Sequence, residues 1–250
     1  MSGFSPEWLA LRADADDRAR NADLRHAFLE ALPRTPRLLD LGSGTGATVR
    51  ALAGAGARWT LVDNDPALLA VARKSLPEVE TVQADLARDL GTILSRDADA
   101  ITASALFDLV SEEWITHLAR AARGRIVYAA LTCDGTEAWT PDHPADIAVA
   151  RAFDTHQRGD KGFGPATGPM GAAMLARALE AEGYTVTLAP SPWRLDRARD
   201  GALMDALSSG VAAAAVEAGC DAATAQDWLT ARRQATRCVT GHLDLLAIRA

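Results

Sequence analysis

The chain has 250 residues, 26 Lys and Arg against 33 Asp and Glu, a net charge of −7, 48% hydrophobic residues and three cysteines. That composition supports a sizeable core and excludes a disordered chain, while the acidic balance, with no Lys/Arg cluster, argues against a general nucleic-acid binder. Cys133, Cys220 and Cys238 match neither a disulfide framework nor a zinc spacing, so a reducing cytoplasm is the expected compartment. Neither secretion nor membrane spanning is expected: residues 1–10 lack a basic start followed by an apolar stretch, and no run of about 18 apolar residues occurs.

Residues 5–32 read as one N-terminal helix, with Trp8, Leu9, Leu24, Phe28 and Leu29 apolar among charges, and Pro33 and Pro36 stop it. A short apolar strand follows at 37–41, then a glycine turn and a helix over 47–55. Residues 59–62 predict a second strand, Asp65-Pro66 opens another helix, and residues 79–83 predict a third strand. Strands at 98–103 and 125–131 flank a helix at 112–120. Such alternation implies βαβ units, right-handed crossovers and a mainly parallel sheet covered by helices on both faces.

The rhythm breaks at 134–169, a proline- and glycine-rich stretch with one helix at 144–153; its length suits a lid or binding element. A helix at 171–182, a strand at 184–188, an Ala-rich helical insertion at 200–235 and a last strand at 241–248 complete the chain. The expected fold is a single α/β domain over 1–250, a Rossmann-like three-layer sandwich. Its seven-stranded, mainly parallel sheet ends in an antiparallel last strand.

The chemistry concentrates in Leu38-Leu39-Asp40-Leu41-Gly42-Ser43-Gly44-Thr45-Gly46, an acid at the end of a buried strand with three glycines in the turn to a helix. Those glycines permit unusual dihedrals and let a ligand approach the backbone, next to free N–H groups at the helix start. Asp63 ends the second strand, 17 residues beyond Gly46, where a carboxylate can accept both ribose hydroxyls of a nucleoside. Asp85, after the third strand, can accept a hydrogen bond from an exocyclic amine. Singly each acid is an ordinary cap or turn residue; together with the glycines they point to a nucleoside cofactor.

These residues resemble the class I S-adenosylmethionine-dependent methyltransferases over roughly residues 37–131. The resemblance implies S-adenosylmethionine as cofactor, with Gly42, Ser43, Gly44 and Gly46 against its methionine part and Asp40 near its amine. It further implies Asp63 on the ribose, Asn64 beside the adenine, Asp85 and Leu86 at the edge of the adenine ring, and Ser104 at the start of the methyl-transfer cavity. A nicotinamide dehydrogenase would use a similar glycine turn, but Asp40 lies two residues before Gly42, close enough to repel a pyrophosphate, whereas beside an ammonium it is favourable.

Methyl transfer needs alignment and exclusion of water more than a base. The stretch Ser104-Ala105-Leu106-Phe107-Asp108 falls where the family lines its cavity and lacks the motif of amino-group nucleic-acid methyltransferases. A small-molecule acceptor is therefore expected, with no nucleic-acid or membrane partner. Candidate acceptor contacts are Phe107, Trp114, Trp139, Arg158 and Lys161, with His156 as base; the last three stand in a lid where Arg158 or Lys161 would pair with an anionic group of the acceptor. Arg12 or Arg20 of the first helix could meet the cofactor's carboxylate. Two other readings stay open: a module that binds the cofactor without catalysis, and a protein methyltransferase with an open acidic groove.

Overall fold

The computed structural model describes residues 4–122 and 124–249. In chain order the elements are α1 (Pro6–Ala19), α2 (Ala22–Ala31), β1 (Arg37–Leu41), α3 (Ala47–Ala51), β2 (Arg58–Asp63), α4 (Pro66–Ser75), β3 (Glu80–Gln83), α5 (Leu86–Leu94), β4 (Ala100–Ser104), α6 (Glu112–Ala121) and β5 (Ile126–Thr140). They continue with α7 (Asp146–Gln157), α8 (Gly171–Ala181), β6 (Tyr184–Pro190), β7 (Trp193–Asp196), α9 (Arg197–Glu217), α10 (Ala222–Arg232) and β8 (Arg237–Arg249). The sheet runs β3-β2-β1-β4-β5-β8-β6, parallel through β5, with β8 antiparallel to β5, β6 and β7. This is the expected Rossmann-like sandwich, with β7 as an additional short strand.

The pleat divides the core. Leu39, Leu41, Ile101 and Val127 face α5, α6 and α8, while Leu38, Leu61 and Tyr128 face α2, α3 and α4. Helix starts follow their caps: Asp65, Asp85 and Ser111 accept from the first turns of α4, α5 and α6, and Pro66 occupies a position whose missing N–H costs nothing. The single helix expected over 5–32 is two, because Arg20 leaves helical geometry and Asn21 caps α2 by accepting from Leu24 N–H. Helix α5 was absent from the expected elements.

The largest departure lies in β5. The expected strand at 125–131 runs on to Thr140 through a bulge, where Leu131 takes φ 58° and the pairing with β8 shifts register. Buried Asp244 holds that bulge: Oδ1 accepts Leu131 N–H at 2.8 Å and Oδ2 accepts Asn21 N–H at 2.8 Å. Beyond it the outer parts of β5 and β8, with β7, form an antiparallel layer. On this layer α1, α7, α9 and α10 pack around a third core of Trp139, Trp193, Trp228, Val149 and Met204. The stretch expected as a lid thus contains the end of β5, helix α7 and a loop over 158–167, and is part of a second lobe. Arg232, 1% exposed, sits inside that lobe over Trp139 and Trp228 and pairs with Asp146 at 3.3 Å. No helix among the described residues is long and apolar enough to cross a membrane.

Candidate functional site

At the carboxyl ends of β1 and β2 the turn after Leu41 places Gly42, Gly44 and Gly46 at φ 64°, 54° and 83°. Such left-handed backbone is available to glycine without a Cβ penalty. Asp63, at the end of β2, accepts Gly44 N–H at 2.8 Å and Asp65 N–H at 3.0 Å, so the same carboxylate that faces the turn also fixes its shape. Burial pushes its pKa up from the ordinary value.

Asp40 is fully buried on β1. Its Oδ1 accepts the Thr102 hydroxyl at 2.6 Å, while Oδ2 has no hydrogen-bond partner. Burial outweighs the Thr102 and Thr48 hydrogen bonds and the neighbouring Arg20 charge, pushing the carboxyl up to about 7. Arg20, at the junction of α1 and α2, is 6% exposed; its Nη2 donates to Ser104 Oγ at 2.9 Å, and Nε and Nη1 lack partners. Ser104 Oγ also lies 3.2 Å from Thr48 Oγ1. A buried anion and a buried cation, each with unused hydrogen-bonding capacity, therefore flank one glycine turn. Ser43 Oγ is buried without a partner there as well. Helix α1 comes down on this turn: a Cβ added to Gly44 would lie 3.0 Å from Leu9 Cδ1.

The adenine-side residues are arranged less tightly. Asn64 is exposed, Asp85 is partly buried and caps α5 by accepting Ala87 N–H at 3.0 Å, and the Leu86 side chain belongs to the core beneath.

A second space opens past β4 and β5. Asp108, Cys133, Glu137, Phe153, Asp154 and Val211 are among the residues around a small cavity of about 50 Å³ between the outer half of β5, α7 and α9. The backbone carrying Asp108 is clamped: Thr167 Oγ1 donates to Phe107 O at 2.7 Å, and Gly168 N–H to Asp108 O at 3.0 Å. Gly171 packs so tightly that a Cβ there would meet Phe107 O at 2.4 Å. At the strand ends beside this cavity, Ala105 and Leu131 both have positive φ, and Ala105 N–H donates to Ala130 O at 2.9 Å. Backbone strain of this kind concentrates at functional sites.

Several expected acceptor contacts lie elsewhere. Phe107 is 1% exposed and faces the core, because Thr167 and Gly171 fix its backbone there. Trp114 is a buried wedge whose Nε1 donates to Leu86 O at 2.8 Å, and Trp139 is buried against Trp228, with Nε1 donating to Glu137 at 2.6 Å. His156, the expected base, pairs with Glu217 at 3.2 Å near the C-terminus of α7, and Lys161 donates to its carbonyl at 3.0 Å. Arg158 pairs with Asp154 at 2.9 Å. None of these residues lines the cavity, whose α7 wall is formed by Ala150, Phe153, Asp154 and Gln157 instead. The acids Glu137 and Asp154 escaped the sequence reading because they follow no motif spacing; only the bulged strand and the long helix pairing bring them together.

A glycine turn at parallel strand ends, with acids at the ends of β1 and β2, defines a nucleoside-binding α/β protein. Residues 38–126 match the family model described as a methyltransferase domain. A trans-aconitate 2-methyltransferase from Klebsiella pneumoniae (strain 342) is 39% identical over 92 residues, 35% of this chain and 34% of that protein, so the match spans about a third of the curated relative's length. Among solved structures, a cyclopropane-fatty-acyl-phospholipid synthase-like protein from Lactobacillus casei ATCC 334 superposes with a TM-score of 0.53 at 16% identity, over 93% of this chain and 98% of that one. A mycolic acid cyclopropane synthase complexed with SAH and CTAB superposes at 0.51 and 14% identity, over 90% and 83% of the two chains. Residues 38–126 thus match a methyltransferase domain, and the whole chain has the Rossmann-like fold of these solved structures.

Proposed function

We propose that the chain transfers a methyl group from S-adenosylmethionine to a small-molecule acceptor. The observation that carries this proposal is the pair of buried, under-partnered charges beside the glycine turn: Asp40 Oδ2 and Arg20 Nε and Nη1 complement the ammonium and carboxylate of an amino acid. A dinucleotide has no group that needs both. Asp63 is placed to take ribose hydroxyls, and Asn64, Asp85 and Leu86 stand at the adenine end. When bound, the cofactor supplies an electrophilic methyl group on a sulfonium.

What the chain contributes is alignment and dryness. Asp40 and Arg20 would hold the two charges of the cofactor's amino-acid end, and Leu9 covers the turn from above. The clamped 105–110 loop and the second lobe shield the neighbouring cavity from water, which favours an in-line displacement between pre-positioned groups. A small cavity rather than an extended groove supports a small acceptor over a protein one. The curated relative's name places a small molecule as the acceptor of that enzyme.

Calorimetric titration with S-adenosylhomocysteine, 5′-methylthioadenosine and NAD tests the proposal. Micromolar binding of S-adenosylhomocysteine, weaker binding of 5′-methylthioadenosine, which lacks the amino-acid end, and none of NAD is the expected result. Equal affinity for the first two would remove Asp40 and Arg20 from the site, and preference for NAD would overturn the proposal. A non-catalytic module would bind S-adenosylhomocysteine equally well and yield no methylated product with any acceptor that binds the cavity.

A further inference from the structure

The cavity past β4 and β5 is walled by three carboxylates, Asp108, Glu137 and Asp154, and by no Lys, Arg or His. Asp108 Oδ1 and Asp154 Oδ1 have no contact with solvent and no hydrogen-bond partner. The nearby cations leave those two oxygens unanswered. Arg12 is held by both oxygens of Asp16 at 2.8 and 3.0 Å, Arg158 takes only the other oxygen of Asp154, and Arg232 is enclosed between two tryptophans and paired with Asp146. The rest of the wall is largely apolar, with Phe153 and Val211 prominent. A buried carboxylate oxygen without a partner is unfavourable, and Asp108 and Asp154 each present one, so such a wall is complementary to a cation that also has apolar bulk. An aromatic ring in the same wall adds to that preference.

Resting on the methyltransferase proposal above, we infer that the acceptor is a small molecule bearing a protonated amine, seated in this cavity with its ammonium on Asp108, and that polycarboxylates are excluded. Burial pushes Asp108 up to about 6 and raises Glu137, outweighing the charges of Arg12 near the first and Arg232 near the second. This acceptor differs in charge from the trans-aconitate named for the curated relative. The difference has a structural basis: apart from Asp108, every residue around the cavity lies outside the segment 38–126 matched by the family model.

The test is titration of the full chain, with and without saturating S-adenosylhomocysteine, using phenethylamine and tryptamine, their carboxylate counterparts phenylacetate and indole-3-acetate, and trans-aconitate. At least one amine is expected to saturate in the millimolar range or below, with no binding of the acids. Asp108→Asn is expected to weaken the amine by about tenfold or more, as loss of a charge-assisted bond does, without changing affinity for S-adenosylhomocysteine. Asp154→Asn, on a more exposed helix, should weaken it less and serves should Asp108→Asn fail to fold. Tighter binding of any of the acids, no binding by either amine, or amine affinity indifferent to both substitutions would overturn the inference. Failure of S-adenosylhomocysteine to bind would sink the cofactor reading alone, because the amine-versus-acid comparison without it still reports on the cavity.

Discussion

Asp40 carries an internal conflict between stability and binding. Its folded-state pKa, about 7, lies above the ordinary 3.8, so the stability it contributes is complete below the ordinary value and is lost as pH rises through 7. At pH 8 the free protein therefore holds a buried, half-partnered carboxylate at a cost on the order of a few kcal/mol. Asp40→Asn should raise the melting temperature of the free protein by a few degrees at pH 8 and weaken S-adenosylhomocysteine by about tenfold. The wild-type affinity should increase from pH 6 to pH 8 as Asp40 ionises, and that slope should be absent in the variant; calorimetry at three pH values measures both. Asp63 acts in the opposite sense. It supports the turn through Gly44 and Asp65, so Asp63→Ala should lower both the melting temperature and, by roughly 50-fold, the cofactor affinity. Unchanged affinity would mean that the ribose lies elsewhere.

Two element-scale devices hold the cavity end of the molecule in shape. Asp244 joins three elements by accepting from Leu131 on β5 and Asn21 at the start of α2 while itself buried on β8. Asp244→Ala leaves both N–H groups unpaired and should cost about 2–4 kcal/mol, read from denaturant unfolding. Gly171 lies against the backbone of Phe107, so Gly171→Ala must displace the 105–110 loop that carries Asp108. Affinity for an amine acceptor should fall while S-adenosylhomocysteine binding stays near wild type. The sequence made the first part of this arrangement legible and hid the second. Strands β1 to β4 show as short apolar runs between glycine, proline and acidic punctuation, and Asp40 and Asp63 stand at their ends. By contrast, the extension of β5 passes through Asp134, Gly135 and Thr136, which read as a turn, and the strand persists only because β8 pairs with it across a bulge. Helix α5 was missed for a related reason: Asp85 was weighed as a ligand, although it also caps that helix.

Across the whole molecule the chain is built in two parts with different degrees of legibility. The parallel half, where residues 38–126 match the family model, carries the glycine turn and the acids that the sequence shows directly. The second lobe, from the outer part of β5 to the start of β8, walls the cavity that Asp108 borders and is held by contacts between residues far apart in sequence: Trp228 Nε1 donates to Asp146 at 2.7 Å, and Trp193 Nε1 to Asp16 at 2.9 Å. No local pattern announces such pairs. His156, Arg158 and Lys161 read as polar residues of a lid in the same region; in the structure His156 meets Glu217, Arg158 pairs with Asp154, and Lys161 donates to the His156 carbonyl at the end of α7. The net charge of −7 is consistent with a protein that leaves carboxylates inside, although it does not by itself locate them.

A crystal structure of the complex with S-adenosylhomocysteine tests the central claim most directly. The account predicts ribose hydroxyls on Asp63, the amino-acid ammonium and carboxylate on Asp40 and Arg20, and the sulfur facing the cavity that Asp108 enters. A ligand whose amino-acid end avoids Asp40 and Arg20, or whose sulfur faces away from that cavity, would contradict it.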